Sequence, residues 1–550
     1  MRENQFALGL VLWSNLGMPL SIKLRAVVVT LLLFGLGGIL PRVQAEASYE
    51  NPVIPGDHPD PSAIRVGTDY WATATSSEWG PEFPLLHSTD LVNWETVGSV
   101  FPHRPDWATG NFWAPEIAEY KGLYYVYYVG RQKGGPLAVA VATATQPSGP
   151  YTDRGPLVAQ SAGSIDPVPV TDENGERYLV WKEDGNSRQL PTPIWAQRLN
   201  EDGTKLMGEP KELIRNDTPW EGNLVEGPFL LRNKGWFYLF YSGNGCCGTG
   251  CDYAVGVARS RSLLGPWEKN PANPILAGNE HWKCPGHGSI ITDPQGRFWL
   301  LYHAYAVASS VFTGREAMLD EVKFGTNDWP TINDGKGPGA KSDSPFNRSQ
   351  RKADLSFFDN FKEARLQPGW QWPQDNEPSV RLQNGHLGLS PKAARTNRRA
   401  DAVLARSTTT SDYTATAIVE IDKSRSTCSV GLCAFGDSAN SIGLAVGDGK
   451  LVLSRREKGK LLSLAQADAP LTSKLYLRLT TKAGYQFSFA SSVDGEKWIP
   501  IGDDLAGKQL PPWDRSIRIA LTVDGDEGAE GRFDSLTITP TKTERTDHGP

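Results

Sequence analysis

The chain has 550 residues, which is too long for one ordinary hydrophobic core, so two domains are expected. Its 56 basic and 62 acidic residues give a formal charge of -6 without a basic stripe, which argues against nucleic acid as a partner. Glycine (56), proline (40) and tryptophan (18) are abundant, and long amphipathic heptads are absent. This composition predicts a β-rich protein with many turns and aromatic surfaces.

Residues 1–45 are predicted to be an export signal. Lys23 and Arg25 precede an uncharged apolar run over residues 26–40, and small residues suited to cleavage follow at 43–45. The run is short for a bilayer span, which needs about 20 residues, and an uncleaved anchor is the alternative. We therefore expect a secreted or periplasmic protein with no stable membrane partner.

A proline-rich stretch begins the mature chain, Asn51-Pro-Val-Ile-Pro-Gly-Asp-His-Pro-Asp-Pro-Ser62. Proline fixes φ and donates no backbone hydrogen bond, so this stretch is neither a helix nor an interior ladder strand. We interpret it as a stiffened entry strand that holds Asp60 in a fixed direction. An ordinary turn is the alternative explanation for the prolines and Asp57.

An internal repeat follows, in which a polar hairpin turn with a glycine leads five times into an aromatic-rich strand. The runs are Gly67–Trp71, Gly122–Tyr128, Gly175–Trp181, Gly235–Tyr241 and Gly296–Tyr302. Each unit is long enough for about four short strands. Five such units predict a five-bladed β-propeller over residues 50–327.

Chemically capable residues recur nine positions before each hairpin glycine. They are His58, Trp113, Asp166, Glu226 and His287. Asp60 lies two residues beyond His58 and is expected on the same face, because side chains alternate along a strand. These positions are predicted to converge on one pocket at the propeller axis.

Five short motifs then carry a resemblance. They are Asn51–Ser62, Trp113-Ala-Pro-Glu116, Ile165-Asp-Pro167, Glu226-Gly-Pro228 and Gly286-His-Gly-Ser289. In this order and at blade spacing, they resemble glycoside hydrolase family 43, which contains β-xylosidases, α-L-arabinofuranosidases and arabinanases on a five-bladed propeller. The resemblance covers roughly residues 50–325 and implies an inverting glycosidase.

The resemblance also implies a role for each carboxylate. Asp60 would be the general base that activates water, and Glu226 the general acid that protonates the leaving oxygen. Asp166 would orient Glu226 and raise its pKa, because neighbouring like charges disfavour ionisation. A turn-capping aspartate before Pro167 is the alternative for Asp166.

The remaining predicted site residues are substrate contacts and one ion contact. By resemblance, His287 contacts a bound calcium ion or its water shell, although no cofactor is required; a core histidine is the alternative. Arg315 would hold sugar hydroxyls, unless it forms a surface ion pair. Trp113, Trp79 and His58 are predicted substrate contacts, with Trp113 stacking on a sugar face and Trp79 walling the pocket; blade packing is the alternative for both tryptophans. The stretch Lys182-Glu-Asp-Gly-Asn186 ends the third aromatic strand and is expected to reach the pocket, with a polar turn as the alternative.

The six cysteines become meaningful in an exported protein, where disulfides persist. A Cys428–Cys433 bridge is expected. The other four are expected to pair as loop staples, with Cys284 tied to the first cluster, or as a vicinal Cys246–Cys247 disulfide. A zinc site is weaker, since the ligand spacing is not typical.

A Gly/Pro/Ser-rich stretch at residues 328–353 is predicted to be a linker. Alternating strands with frequent turns then predict a two-sheet β-sandwich over residues 354–540. It resembles the concanavalin-A-like domain appended to many family 43 xylosidases, which packs on the propeller and can lend a loop to the pocket. We expect a packing role here, with glycan binding as the alternative.

Two other functions were weighed against the glycosidase. A non-catalytic carbohydrate-binding propeller would not need Asp60, Asp166 and Glu226 together. A retaining fructan hydrolase would normally show Asn-Asp-Pro-Asn and Arg-Asp-Pro signatures, and neither is present at the expected place. The expected substrate is a pentose-containing plant cell-wall polysaccharide or oligosaccharide, without a choice between xylose and arabinofuranose.

Overall fold

The structure is a computed structural model that describes residues 47–346, 355–392, 400–421, 428–525 and 528–541. The predicted export signal at 1–45 lies outside these residues. Within the described part, no helix is long and apolar enough to cross a bilayer. All described residues belong to one compact unit.

The first half is built from five four-stranded antiparallel sheets, each made of strands consecutive in sequence apart from the short β4. The strands are β1 (Ser48–Glu50), β2 (Ser62–Val66), β3 (Asp69–Thr73), β4 (Trp79–Gly80), β5 (Glu82–Ser88), β6 (Trp94–Phe101), β7 (Trp113–Tyr120), β8 (Leu123–Arg131), β9 (Leu137–Ala144), β10 (Thr152–Val158), β11 (Ser164–Thr171), β12 (Arg177–Glu183), β13 (Ile194–Leu199), β14 (Leu206–Ile214), β15 (Val225–Asn233), β16 (Trp236–Gly243), β17 (Ala254–Ser260), β18 (Glu268–Lys269), β19 (Trp282–Thr292), β20 (Phe298–Ala306), β21 (Glu316–Phe324), β22 (Pro330–Ile332) and β23 (Lys341–Asp343). Four 3₁₀ turns occur at Gly185–Arg188, Pro219–Glu221, Ser310–Phe312 and Asn333–Gly335. The predicted five-bladed propeller is confirmed.

The aromatic runs of the repeat form the second strand of each blade. In β8, for example, the residues from Tyr125 to Val129 are all buried. A strand covered on both faces carries a continuous apolar run instead of an alternating one. Blade-to-blade packing therefore explains why the aromatic repeat was visible in the sequence.

The stretch predicted as a linker at 328–353 is largely part of the propeller. Strand β22 pairs with β21 as the outer strand of blade five, and β23 pairs with β1. Residues 347–354 lie outside the described part. The glycine and proline content predicted turns here, but β22 and β23 were not predicted, because strands of three residues show almost no periodicity.

The start of the chain closes the propeller against its last blade. The Val53 N–H donates to the Ala317 carbonyl on β21 over 2.9 Å, and Ile54 bridges the same residue. The Asn51 side chain adds hydrogen bonds to the Leu319 and Gly339 carbonyls at 3.0 and 2.9 Å. The proline-rich stretch is thereby fixed before it reaches Asp60.

The second half is a β-sandwich of two large sheets around one apolar core. Its strands are β24 (Phe357–Asp359), β25 (Trp370–Pro373), β26 (Ser379–Gln383), β27 (His386–Ser390), β28 (Ala400–Ser407), β29 (Tyr413–Glu420), β30 (Cys428–Asp437), β31 (Asn440–Gly447), β32 (Lys450–Glu457), β33 (Lys460–Asp468), β34 (Lys474–Lys482), β35 (Gln486–Ser492), β36 (Ile499–Pro500), β37 (Leu505–Ala506), β38 (Arg518–Gly525) and β39 (Gly531–Pro540). Strict alternation of buried and partly exposed residues in β29 confirms the sandwich prediction.

The sandwich packs directly on the propeller. Strand β25 pairs with β4, which extends one sandwich sheet into the propeller. Asp57 Oδ2 accepts a hydrogen bond from the Ser516 N–H at 3.0 Å and lies 3.3 Å from Arg518 Nη1. Both charged side chains are buried. The expected packing role of this domain is confirmed.

Two predictions fail in this half and at its border. Cys428 and Cys433 cannot bridge each other, because they lie five residues apart on β30 and so about 17 Å from each other. Trp79 does not wall the pocket. It is 2% exposed and packs at the domain border against Phe435, with ring centroids 5.8 Å apart.

The buried ion pair at the domain border gives a stability prediction. Arg518→Ala should lower the free energy of unfolding by about 3–5 kcal/mol, because it leaves the Asp57 carboxylate buried without its cation. Denaturant unfolding followed by tryptophan fluorescence measures this. The matched control is Arg198→Ala, which removes a half-exposed pair with Glu176 and should cost no more than about 1 kcal/mol. Equal losses in both variants would contradict the assignment.

Candidate active site

A β-bulge interrupts the first strand of four blades close to the propeller axis. The ladder register shifts after Trp113, Ile165, Glu226 and Gly286. A bulge bends its strand and re-aims the side chains that it carries. The bulges therefore explain how regular blades direct polar groups into a central cavity.

One residue of positive φ per blade, inside the bulge in four blades and just before β2 in the first, defines the true structural repeat. These residues are Asp60 (φ 52°), Ala114 (42°), Asp166 (58°), Gly227 (56°) and His287 (41°). The first four are followed by proline and the last by glycine. The positive-φ residue lies nine residues before the hairpin glycine at Asp166 and His287, as predicted. At Ala114 and Gly227 it lies eight residues before that glycine, so the fixed offset selected the preceding residues, Trp113 and Glu226.

The bulges surround a cavity of about 400 Å³, which is within the usual size range of small-molecule sites. Its lining includes six of the eight predicted site residues: Asp60, Trp113, Asp166, Glu226, His287 and Arg315. The sandwich contributes Trp513 and Asp514 to the same lining. The expectation that this domain can lend a loop to the pocket is therefore met in the structure.

Asp60 is held as an ionised carboxylate. Arg315 Nη1 lies 3.2 Å from its Oδ1, and the Thr75 hydroxyl donates to its Oδ2 at 2.6 Å. Burial alone raises the pKa of Asp60, but Arg315 and His287 outweigh it and hold the pKa well below its usual range. Such a carboxylate stays ionised and can accept a hydrogen bond from water at any ordinary pH.

Glu226 is bound on both carboxylate oxygens. Lys182 Nζ donates to Oε2 at 2.7 Å, and the Tyr253 hydroxyl donates to Oε1 at 2.9 Å. Burial opposes ionisation of Glu226, but the fully buried Lys182 ammonium outweighs it and lowers the pKa of Glu226. The prediction of a raised pKa for Glu226 is therefore wrong, and Lys182 is the physical reason.

Asp166 carries the raised pKa instead. Burial raises the pKa of Asp166 to about 6, and the neighbouring charge of Glu226 adds to the effect. Its Oδ2 accepts the Gly227 N–H at 2.8 Å, which ties it to the bulge that follows Glu226. The two carboxylates thus form one coupled pair in which Asp166 holds a proton more readily.

His287 lies between the Asp60 carboxylate and the Asp166 carboxylate. Its Nδ1 is 3.4 Å from Asp60 Oδ1 and 4.0 Å from Asp166 Oδ2. A Cβ at Gly227 would come within 2.8 Å of the His287 ring, so only glycine allows this approach. The histidine therefore packs tightly over the acid-bearing strand and separates Asp60 from Asp166.

The predicted contact of His287 with calcium or its water shell stays a prediction. Calcium takes six to eight oxygen ligands, and His287 Nδ1 faces the Asp60 and Asp166 carboxylates at 3.4 and 4.0 Å. Within the described part of the chain, the one group of three potential ligands with metal-binding geometry is in the sandwich.

The predicted substrate contacts divide into two groups. Trp113 and Arg315 both line the cavity, and the Arg315 Nε is buried without a hydrogen-bond partner among the described residues. His58 does not line the cavity; its backbone N–H donates to the Arg315 carbonyl at 2.9 Å. With Trp79 already placed at the domain border, two of the eight predicted site residues are outside the pocket.

Lys182 lines the cavity, as expected for the end of the third aromatic strand, whereas His303 escaped the sequence analysis. Lys182 and His303 occupy equivalent positions, paired with Ile165 and Gly286 at the bulges. Each directly follows an aromatic run of the repeat, so the position that pointed to Lys182 could also have singled out His303. His303 Nδ1 accepts the Asp60 N–H at 3.0 Å. Tyr253 and the sandwich residues have no comparable sequence pattern.

Comparison with known proteins agrees with this geometry. The family described as Glycosyl hydrolases family 43 matches residues 49–330, and Beta xylosidase C-terminal Concanavalin A-like domain matches residues 358–512. The Xylosidase/arabinosidase 43B of Humicola insolens is 28% identical over 493 residues, which are 83% of this chain and 89% of that protein. The Xylan 1,3-beta-xylosidase of Vibrio sp is 27% identical over 84% of this chain and 92% of its own.

A solved structure extends the likeness to three dimensions. The GH43 BlXynB protein from Bacillus licheniformis superimposes with a TM-score of 0.77 at 25% identity, over 90% of this chain and 100% of that chain. The matches span both domains, and the related proteins are named as enzymes. The alternatives of a non-catalytic propeller and a fructan hydrolase are therefore set aside, and the chain belongs to glycosyl hydrolases family 43 as a glycosidase.

Proposed function

We propose that this protein is an exported, inverting glycosidase that removes single pentose residues from plant cell-wall oligosaccharides or polysaccharides. The observation that carries the proposal is the opposite electrostatic setting of two carboxylates in one cavity. Asp60 in blade one forms an ion pair with Arg315. Glu226 in blade four instead interacts with a second carboxyl group, Asp166, whose pKa is raised to about 6. Hydrolysis with inversion requires an ionised base on one side of the glycosidic bond and an acid that can be protonated on the other.

Asp60 is the general base in this proposal. Its carboxylate stays charged and would take a proton from a water molecule that attacks the anomeric carbon. His287 and Asp166 stand on the path from Asp60 to Glu226, which supports a separation wide enough to admit that water. A nucleophilic role would require the two carboxyl groups to lie closer together.

Glu226 is the general acid, and Asp166 supplies its proton. Lys182 favours the ionised form of Glu226, while Asp166 has a pKa of about 6. A bound sugar excludes water and places its glycosidic oxygen against Glu226, which favours moving the proton of Asp166 onto Glu226. The proton then leaves with the alcohol product as the glycosidic bond breaks.

The substrate proposal rests on the relatives and on the cavity. The relatives are named for xylosidase and arabinosidase activities. A cavity of about 400 Å³ that is closed on one side by the sandwich suits a terminal residue better than the middle of a chain. Aryl β-D-xylopyranoside and aryl α-L-arabinofuranoside are the two probes that separate the sugars.

Export is the last part of the proposal. It is supported by the pattern of residues 1–45 and by two disulfides, Cys246–Cys247 and Cys251–Cys284, since such bonds persist in oxidising compartments. Expression with the native N-terminus should yield a mature protein that begins near Glu46 outside the cytoplasm. Intact mass and N-terminal sequencing measure this, and a membrane-bound full-length chain would point to the uncleaved anchor.

The two proposed catalytic residues differ in a measurable way. Glu226→Gln should lower kcat about 10²–10⁴-fold on substrates with poor leaving groups and much less on activated aryl glycosides, which need no proton. Asp60→Asn should lower kcat by a similar factor on both, because water attack always needs the base. ¹H NMR of the first-formed anomer tests inversion. Equal losses for both substrates in Glu226→Gln would contradict its role as the acid.

Lys182 gives a pH prediction with a definite sign. Lys182→Met removes the cation that stabilises ionised Glu226, so the pKa of Glu226 rises and the acid stays protonated to higher pH. The alkaline limb of the kcat/KM profile should therefore move to higher pH. Lys182→Arg keeps the charge and should leave the limb near its wild-type position. A downward shift in Lys182→Met would show that Lys182 does not act on the acid.

A further inference from the structure

A loop with an unusual covalent bond lies beside the proposed acid. Residues 244–253 follow β16, which pairs with the Glu226-bearing strand so that Glu226 lies opposite Ser242. Cys246 and Cys247 are joined in a vicinal disulfide, and both line the cavity. An acid must lie next to the oxygen that it protonates, so the leaving group has to pass along this side of the cavity.

The loop is fixed from several directions. Cys251 is bonded to Cys284 on β19, and the Asp252 N–H donates to the Gly245 carbonyl at 3.0 Å. Cys246 packs on a buried cluster that includes Tyr253, the hydrogen-bond donor to Glu226. The disulfide wall therefore needs no ordering when a ligand arrives, which removes one cost of binding.

A second apolar surface adjoins the loop. Trp513 from the sandwich is 62% exposed and meets Trp113 edge to face, with centroids 5.9 Å apart. Gly248 lies so near that a Cβ there would be 3.9 Å from the Trp513 carbonyl oxygen. The disulfide and Trp513 thus bound one side of the opening together.

We infer that the Cys246–Cys247 disulfide and Trp513 form the subsite for the leaving-group sugar. Both surfaces are apolar and polarisable, and sulfur is only a weak hydrogen-bond acceptor, so they suit the C–H face of a sugar ring more than its hydroxyls. Closure of two adjacent side chains in one ring leaves them no rotamer freedom to lose. This inference rests on the proposed glycosidase function and specifies what that site selects.

The test compares two substrates that share the cleaved pentose. One is the disaccharide, which fills the leaving-group subsite, and the other is the glycosyl fluoride, whose leaving group is a single atom. In the Cys246→Ser/Cys247→Ser variant, kcat/KM for the disaccharide should fall about tenfold, while that for the fluoride changes less than twofold. Trp513→Ala should show the same selective loss. Thr249→Ala, at an exposed residue of the same loop outside the cavity lining, should leave both values unchanged.

The outcomes separate this inference from the proposed function. Wild-type protein that cleaves neither substrate would end the proposed function itself. Active wild type with an equal fall for both substrates in the cysteine variant would show that the disulfide supports Glu226 instead of the leaving group. An unchanged disaccharide value in both the cysteine variant and Trp513→Ala would also overturn the subsite. Inhibition by the free pentose should be the same in wild type and variants, which checks that the cavity is folded.

Discussion

The buried contact between Arg315 and Asp60 joins the parts of this protein that have to be in register. Arg315 directly precedes β21 in blade five, and Asp60 precedes the first strand of blade one. Arg315 Nη2 also donates to the Asp514 carbonyl of the sandwich at 2.9 Å. A buried charge is costly unless it is paired and hydrogen-bonded. The same ion pair therefore closes the ring of blades, docks the second domain and keeps the proposed base ionised.

Each proposed catalytic carboxylate is governed by its own buried cation. Arg315 serves Asp60, and Lys182 serves Glu226, at 3.2 and 2.7 Å respectively. The difference lies in the third carboxylate, because Asp166 interacts with Glu226 and has a pKa of about 6. Only one of the two proposed catalytic groups thus belongs to a pair that can hold a proton near neutral pH, which divides the acid and base roles between chemically similar side chains.

The β-bulges connect this electrostatics to the fold. A regular propeller strand would alternate its side chains between neighbouring blades, so few of them would point at the axis. Positive φ at Asp166 and His287 inside their bulges, and at Asp60 just before β2, turns these three side chains into the cavity. The rim is then shaped by irregular segments, the disulfide loop of blade four and the Trp513 segment of the sandwich.

The sequence by itself determined the five-bladed propeller and the sandwich. It also identified eight site residues, of which six line the cavity. Repeated aromatic strands and X-Pro motifs are local patterns, and a local pattern is readable without the fold. The tertiary structure alone decided which residues share an environment. Lys182 reverses the expected pKa shift of Glu226, Trp79 belongs to the domain border, and Trp513 reaches the cavity from a domain some 400 residues after Trp113. These facts depend on distances between chain segments that are far apart in sequence, and no local pattern encodes such distances.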